Sequence, residues 1–401
     1  MITLDNLTKI FNTSMGPVTA ADRVCMEVGE GEVCVLLGPS GCGKTTTLKM
    51  VNRLIEKTSG KILVGGRDTD TIDAVELRRT MGYVIQQIGL FPNMTVEENI
   101  GVVPRMLGWD SQRIRKRAVE LLEMMALSPA VFLRRYPREL SGGQQQRVGV
   151  ARALAADPPV LIMDEPFGAI DPINREVIQD EFLKMQQTLR KTILFVSHDI
   201  DEAVKMADKI AIFRGGKLEQ FDSPDNVLAH PANSFIADFV GGDRTLKRLR
   251  LLKVRDVLNA DSPSVRADEA LDTAVRRMHE HDQGHIVVTD QDGRPTGCLI
   301  LADAVGRHGS AGDHARALPS PVRLDADLRS AVSSMFTHDA EWLPCVDEAG
   351  TFRGQITQRG ITHRLGDTYR AAASAAATVP ADVPADAGRP AAPQHFRGAA
   401  E

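Results

Sequence analysis

Apolar residues in residues 1–240 fall into short unbroken runs separated by longer stretches of helical spacing. Glu32–Leu37, Val160–Met163 and Ile193–Val196 are too short for helices and apolar at successive positions, so they read as strands buried on both faces. Strands of this kind alternating with helical patterns predict an α/β domain with a parallel sheet covered by helices. Between the first two runs, Thr95–Asp157 keeps a helical texture. Within it, Gln112–Met125 sets Ile114, Val119, Leu121 and Leu122 among many charges, which reads as a helical insertion.

From Leu246 the texture becomes a smaller α+β pattern that repeats. Ala274-Val275, Met278, His281-Asp282, Asp290, Gly293 and Gly297 recur at Ala331-Val332, Met335, His338-Asp339, Asp347, Gly350 and Gly354, each 57 residues on (297 to 354). This is two copies of one supersecondary unit, residues 249–308 and 317–368, expected to pack together. Residues 369–401 are rich in Ala and Pro, hold few large apolar side chains and are expected to be a disordered tail. Three segments follow: 1–240, 246–368 and 369–401.

Charge narrows the partners. With 48 Lys+Arg against 53 Asp+Glu, a net −5, nothing suggests the basic face that nucleic acid requires. Cys25, Cys34, Cys42, Cys298 and Cys345 are an odd, scattered set, which argues against a disulfide framework or structural zinc and fits a reducing compartment. No basic region followed by an apolar run opens the chain, and nowhere does an apolar stretch reach the about 18 residues of a spanning helix. Action at a membrane is therefore expected to depend on another subunit.

Gly38-Pro39-Ser40-Gly41-Cys42-Gly43-Lys44-Thr45 matches the phosphate-loop pattern G-x-x-x-x-G-K-[ST], between an apolar strand and a helical stretch, Thr46–Leu54. The glycines let backbone N–H groups close around a polyphosphate, and the helix start, with Thr46, adds positive potential. Lys44 is expected to reach the β and γ phosphates and the Thr45 hydroxyl to meet Mg2+. Val160-Leu161-Ile162-Met163-Asp164-Glu165 carries two acids to the end of a buried strand. Asp164 suits the magnesium shell and Glu165 suits polarising the attacking water.

The string Leu140-Ser141-Gly142-Gly143-Gln144-Gln145-Gln146-Arg147 contains LSGGQ. With it, residues 1–240 resemble the ABC transporter ATPases, a branch of the P-loop NTPases. The resemblance implies a homodimer enclosing two ATP, with Ser141, Gly142 and Gly143 of one copy capping the γ phosphate held by the other. A small hydroxyl and exposed N–H groups at a helix start are coherent with that task. It also implies that Gln86, with Gln87 as the neighbouring alternative, senses magnesium and the attacking water and borders the transmembrane permease. Asp171 would join the protomers and His198 would contact the γ phosphate as a switch. Phe11 has two readings, an adenine platform or a core residue.

One phosphate loop and no membrane helices point within this family to an importer subunit, peripheral on the cytoplasmic face of the inner membrane. Met81–Pro92 and Glu165–Ile173 are similar to the branch importing glycine betaine, carnitine and choline, which implies permease partners and, indirectly, an extracytoplasmic substrate-binding protein. The 57-residue copies resemble a tandem CBS pair. Such pairs often hold an adenine nucleotide through G-h-h-[ST]-x-x-D. Here Gly297–Asp303 has Ile300 for the hydroxyl, and Gly354–Gly360 keeps Thr357 and loses the acid, so a structural role stands beside the ligand-binding one.

Overall fold

The computed structural model describes residues 1–85, 89–168 and 170–366, with backbone only at 172–174. Its strands in chain order are β1 (Ile2–Thr13), β2 (Gly16–Val28), β3 (Val33–Leu37), β4 (Ser59–Val64), β5 (Arg67–Asp68), β6 (Met81–Val84), β7 (Val160–Asp164), β8 (Thr192–Val196), β9 (Lys209–Arg214) and β10 (Lys217–Asp222). A six-stranded sheet has the order β10-β9-β3-β8-β7-β6, parallel throughout except for the antiparallel edge strand β10.

The expected strands are present, and their unbroken apolar runs have a reason. Val33, Val35 and Leu37 of β3 pack on the helical side, while Cys34 and Leu36 pack on the other. Leu161 and Met163 against Val160 and Ile162 divide in the same way on β7. A strand buried on both faces has no solvent side to mark with polar residues. The helical stretch is also as expected, with helices at Val96–Ile100, Val102–Met106, Ser111–Met124, Pro129–Phe132 and Gly142–Leu154.

A four-stranded antiparallel sheet, β2-β1-β4-β5, covers the second face and was not anticipated. The β1–β2 ladder shifts register between Leu4 and Leu7, between Leu7 and Lys9 and between Lys9 and Ile10. Each bulge interrupts the alternation by which a half-buried strand is recognised.

Beyond the helix Arg244–Arg248 come β11 (Ser264–Arg266), β12 (His285–Thr289), β13 (Pro295–Ile300), β14 (Val322–Arg323), β15 (Trp342–Val346) and β16 (Phe352–Thr357). Each triplet has one parallel pair and one antiparallel pair, β11-β12-β13 and β14-β15-β16. The helices Leu271–Glu280 and Leu328–Thr337 bury Leu271, Ala274 and Met278 and, at equivalent places, Leu328, Ala331 and Met335. The recurring Ala and Met residues are thus the inner stripe of each helix. His285 and Trp342, also equivalent, stack with ring centroids 4.1 Å apart. Leu249, Leu252 and Val254 pack into the core of the second copy, so the chain crosses to the distal unit before building the near one. The buried Arg248 guanidinium grips Asp225 of the first domain through two bonds of 2.7 and 3.2 Å.

Candidate nucleotide site

The phosphate loop leaves β3 at the carboxyl edge of the parallel sheet, where ligands of open α/β sheets gather. β8 and then β7 lie beside β3, so Ser197-His198 and Asp164-Glu165 end at the same edge as the loop. Gly38, at φ +140°, and Gly43, at φ +104°, have backbone conformations that side chains rarely adopt. A Cβ would lie 2.2 Å from the Phe213 carbonyl oxygen at Gly38 and 2.0 Å from that of Ala20 at Gly43. Only glycine fits either place. Pro39, Ser40 and Gly41 between them are exposed, and Thr46 lies half-buried in the first turn of the helix Lys44–Val51.

Lys44 is buried and folds back on its own loop, Nζ donating to the carbonyls of Gly38 at 2.7 Å and Pro39 at 2.9 Å and lying 3.7 Å from Cys42 Sγ. The Thr45 hydroxyl donates to Asp164 Oδ1 at 3.1 Å, and Lys49 Nζ stands 3.8 Å from Asp164 Oδ2. A hydroxyl and a buried carboxylate in contact are hard oxygen donors suited to Mg2+, which takes one or two protein ligands and fills its shell with phosphate and water. No cluster of three or more His, Cys, Asp and Glu able to hold a metal occurs among the described residues. Tyr83 lies near this carboxylate. Burial first, and the charge of Asp164 second, push its phenol up to about 12.

Glu165 has φ +46°, an uncommon conformation for a residue with a side chain. Its N–H donates to the Val196 carbonyl at 3.1 Å, and the turn closes with Gly168 N–H donating to Glu165 O at 3.2 Å. The Glu165 Oε2 to His198 Nδ1 distance is 3.9 Å. Lys44, Thr45, Asp164, Glu165 and His198 are therefore gathered at one sheet edge. Strain concentrated at such a position is characteristic of functional sites.

Ser141 caps the helix Gly142–Leu154 in a reciprocal box: its Oγ accepts from Gln144 N at 3.3 Å, and Gln144 Oε1 accepts from Ser141 N at 3.0 Å. The cap uses a lone pair of Ser141 and leaves its O–H to donate outward. Leu140 is buried beneath the helix start, while Ser141 and Gly142 are exposed. Phe11 is 37% exposed on β1, which removes the core reading. It faces Val18 on β2, two residues before the Ala20 that abuts Gly43, and Lys9 Nζ lies 4.8 Å above its ring. Asp171 is exposed and precedes the helix Pro172–Leu189. Gln86, its alternative Gln87 and the tail 369–401 lie outside the described residues.

In the repeat pair, the Asp303 carboxylate is engaged by Arg316 at 2.7 Å and the Thr357 hydroxyl accepts from Gly360 N at 3.0 Å. Ile300 stands partly exposed. Sequence reasoning missed Lys49, Gln179 and Glu202. Glu202 follows His198 by four residues on a helix that begins only at Ile200, and nothing in the string announces its burial.

A model of the family described as ABC transporter matches residues 21–168, and one described as CBS domain matches residues 254–307. The osmoprotectant import ATP-binding protein OsmV of Salmonella typhimurium is 55% identical, the match covering 92% of this chain and 98% of the relative. The glycine betaine/carnitine/choline transport ATP-binding protein OpuCA of Bacillus subtilis is 42% identical over 92% of this chain and 97% of its own length. Among solved structures, the dimeric bacterial ABC transporter cassette MJ0796 superposes with a TM-score of 0.51 at 34% identity, covering 56% of this chain and 99% of that one. The same cassette as a post-hydrolysis dimer with ADP and Pi matches equally, at a TM-score of 0.51 and 34% identity. The chain belongs to the ABC transporter ATP-binding proteins, in the osmoprotectant-importer branch that carries C-terminal CBS sequence.

Proposed function

We propose that this protein is the ATP-hydrolysing subunit of an importer for quaternary ammonium osmoprotectants such as glycine betaine, carnitine, choline and proline betaine. The observation that carries the reading is the convergence of Lys44, Thr45, Asp164, Glu165 and His198 on one sheet edge, with Thr45 and Asp164 in contact and Glu165 beside His198. Lys44 exchanges its loop carbonyls for the β and γ phosphates when ATP enters, and loop N–H groups around Gly38–Thr45 take the remaining oxygens. Thr45 and Asp164 hold Mg2+, which neutralises phosphate charge. Glu165 orients the attacking water, and His198 lies where it can donate to the transferring phosphate. Phe11 carries the adenine ring.

Each site is completed by a second copy of the chain, whose Ser141 hydroxyl and Gly142 and Gly143 N–H groups face the γ phosphate, with Asp171 at the seam. Exposure of Ser141 and Gly142 supports this. The permease contact lies in a groove of about 340 Å3 lined in part by Ile85 and Gly89. Tyr83, Phe91 and Val102 give it an apolar floor and Arg78, Arg79 and Arg152 a basic rim, which suits a short permease segment with acidic groups. The subunit sits on the cytoplasmic face through that permease; no helix among the described residues is long and apolar enough to cross a membrane. An extracytoplasmic binding protein delivers the solute, and the repeat pair is a structural clamp, its Asp303 and Thr357 engaged within the protein.

ATP turnover by the reconstituted transporter tests this reading. Glycine betaine, choline or carnitine with the binding protein should raise it, and Glu165→Gln should cut it by about 10^2 or more while ATP still binds. Stimulation only by an amino acid or a sugar would remove the substrate class, and full turnover in Glu165→Gln would remove the catalytic assignment.

A further inference from the structure

Behind the switch residue lies a buried carboxylate with no part in the chemistry described above. Glu202, on the helix Ile200–Met206, is 7% exposed. Its Oε2 accepts from the hydroxyl of Ser197, the residue before His198, and its Oε1 accepts from Gln179 Nε2 at 3.0 Å. Ser197 Oγ in turn accepts from Asp199 N at 3.0 Å. The peptide segment carrying His198 is thus held on both sides by one hydroxyl whose own direction is set by Glu202. Asp199 Oδ1 accepts from Asp201 N at 2.8 Å and Glu202 N at 3.4 Å, fixing the segment to the start of the same helix.

Gln179 belongs to the helix Pro172–Leu189, which begins directly after Asp171. A second strut joins the same two parts: Arg175 Nη2 donates to Ile170 O at 2.9 Å, and its Nη1 stands 3.8 Å from Asp199 Oδ2. Both struts run from the N-terminal half of this helix, at Arg175 and Gln179, towards the residues flanking His198. Burial raises the Glu202 carboxyl above its ordinary range, opposed by the Ser197 and Gln179 hydrogen bonds. An acid retained under that cost, accepting from two donors, has a positioning task.

We propose that Glu202 is a positioning residue that, through Ser197 and Gln179, makes the orientation of His198 follow the helix behind Asp171, so that arrival of the partner subunit sets the switch. This rests on the proposed role of His198. A hydrogen bond from Ser197 to a buried carboxylate is worth enough that losing it should slow turnover about tenfold to a hundredfold.

The test measures ATP turnover, KM for ATP and thermal unfolding of the complete transporter carrying Ser197→Ala, Glu202→Ala, Glu202→Gln or His198→Ala. Ser197→Ala and Glu202→Ala should lower kcat in that range with KM near native, Glu202→Ala also unfolding at a lower temperature because two buried donors lose their acceptor, and Ser197→Thr and Glu202→Gln, which keep a bonding partner, should recover part of the loss. Ser197→Ala combined with His198→Ala should be no slower than His198→Ala alone. Native turnover in Ser197→Ala while His198→Ala is inactive would overturn the linkage and leave the ATPase reading standing. Losses that add to that of His198→Ala, or a Ser197→Ala loss that only follows a fall in stability, would also overturn it. Native turnover in His198→Ala would remove the linkage together with the histidine's assignment.

Discussion

Glu165 shows what single residues disclose in the string and what they withhold. Its place after an apolar strand marks it as an acid delivered to the sheet edge, yet its φ of +46° and its approach to His198 emerge only from the fold. Glu202 is the opposite case, because an acid that follows Asp199 and Asp201 at a helix start reads as helix surface until its burial is seen. His285 carries a prediction at this scale. Burial pushes its imidazole below the ordinary 6.5, with the Gln355 hydrogen bond opposing, so the folded chain prefers the neutral ring stacked on Trp342. The unfolded chain then takes up the proton first as pH falls. The stability contributed is fully present above pH 6.5 and is lost as pH drops below it towards the folded value. Melting curves from pH 7.5 to 5.5 should show a fall that His285→Phe, which keeps a ring for stacking, reduces. An unchanged pH slope in that variant would refute the assignment.

Among elements, the parallel strands were legible because burial on both faces leaves an apolar run, and the helical insertion because its periodicity is sustained. The antiparallel sheet was hidden by its bulges. The signature helix was legible as a motif, but its capping box was not, since Ser141 and Gln144 satisfy each other only in the folded turn. Gly142 separates folding from assembly. A Cβ there would meet nothing within 4 Å in the single subunit. Gly142→Ala should therefore change subunit stability by no more than about 0.5 kcal/mol. In the ATP-bound dimer proposed above the added methyl would stand against the partner's γ phosphate, and turnover should fall about tenfold or more. Paired calorimetry and ATPase assays check this, and native turnover would count against the shared site.

At the scale of the whole molecule, the repeat was legible because eight residue matches keep one offset, and the structure places the buried Ala and Met of each copy at those matches. The crossing of Leu249–Val254 into the distal copy could not be read, since sequence proximity favours the near one. Arg248 with Asp225 joins the repeats to the ATPase domain, and Asp225→Ala leaves the buried guanidinium with a partner fewer. Loss of such a partner is expected to weaken docking by about 2 kcal/mol, discounted for the partly exposed aspartate. Limited proteolysis of residues 241–253 should then speed up, and an unaltered cleavage rate would show that other contacts hold the module.

All three scales meet in the claim that ATP hydrolysed at Glu165 drives entry of a quaternary ammonium solute. The most direct measurement is uptake of labelled glycine betaine, choline and carnitine into proteoliposomes bearing the complete transporter, comparing native subunit with Glu165→Gln. Accumulation of at least one of the three that vanishes with Glu165→Gln is the predicted result. Accumulation that persists in the variant, or absence of all three while ATP is still consumed, would contradict the account.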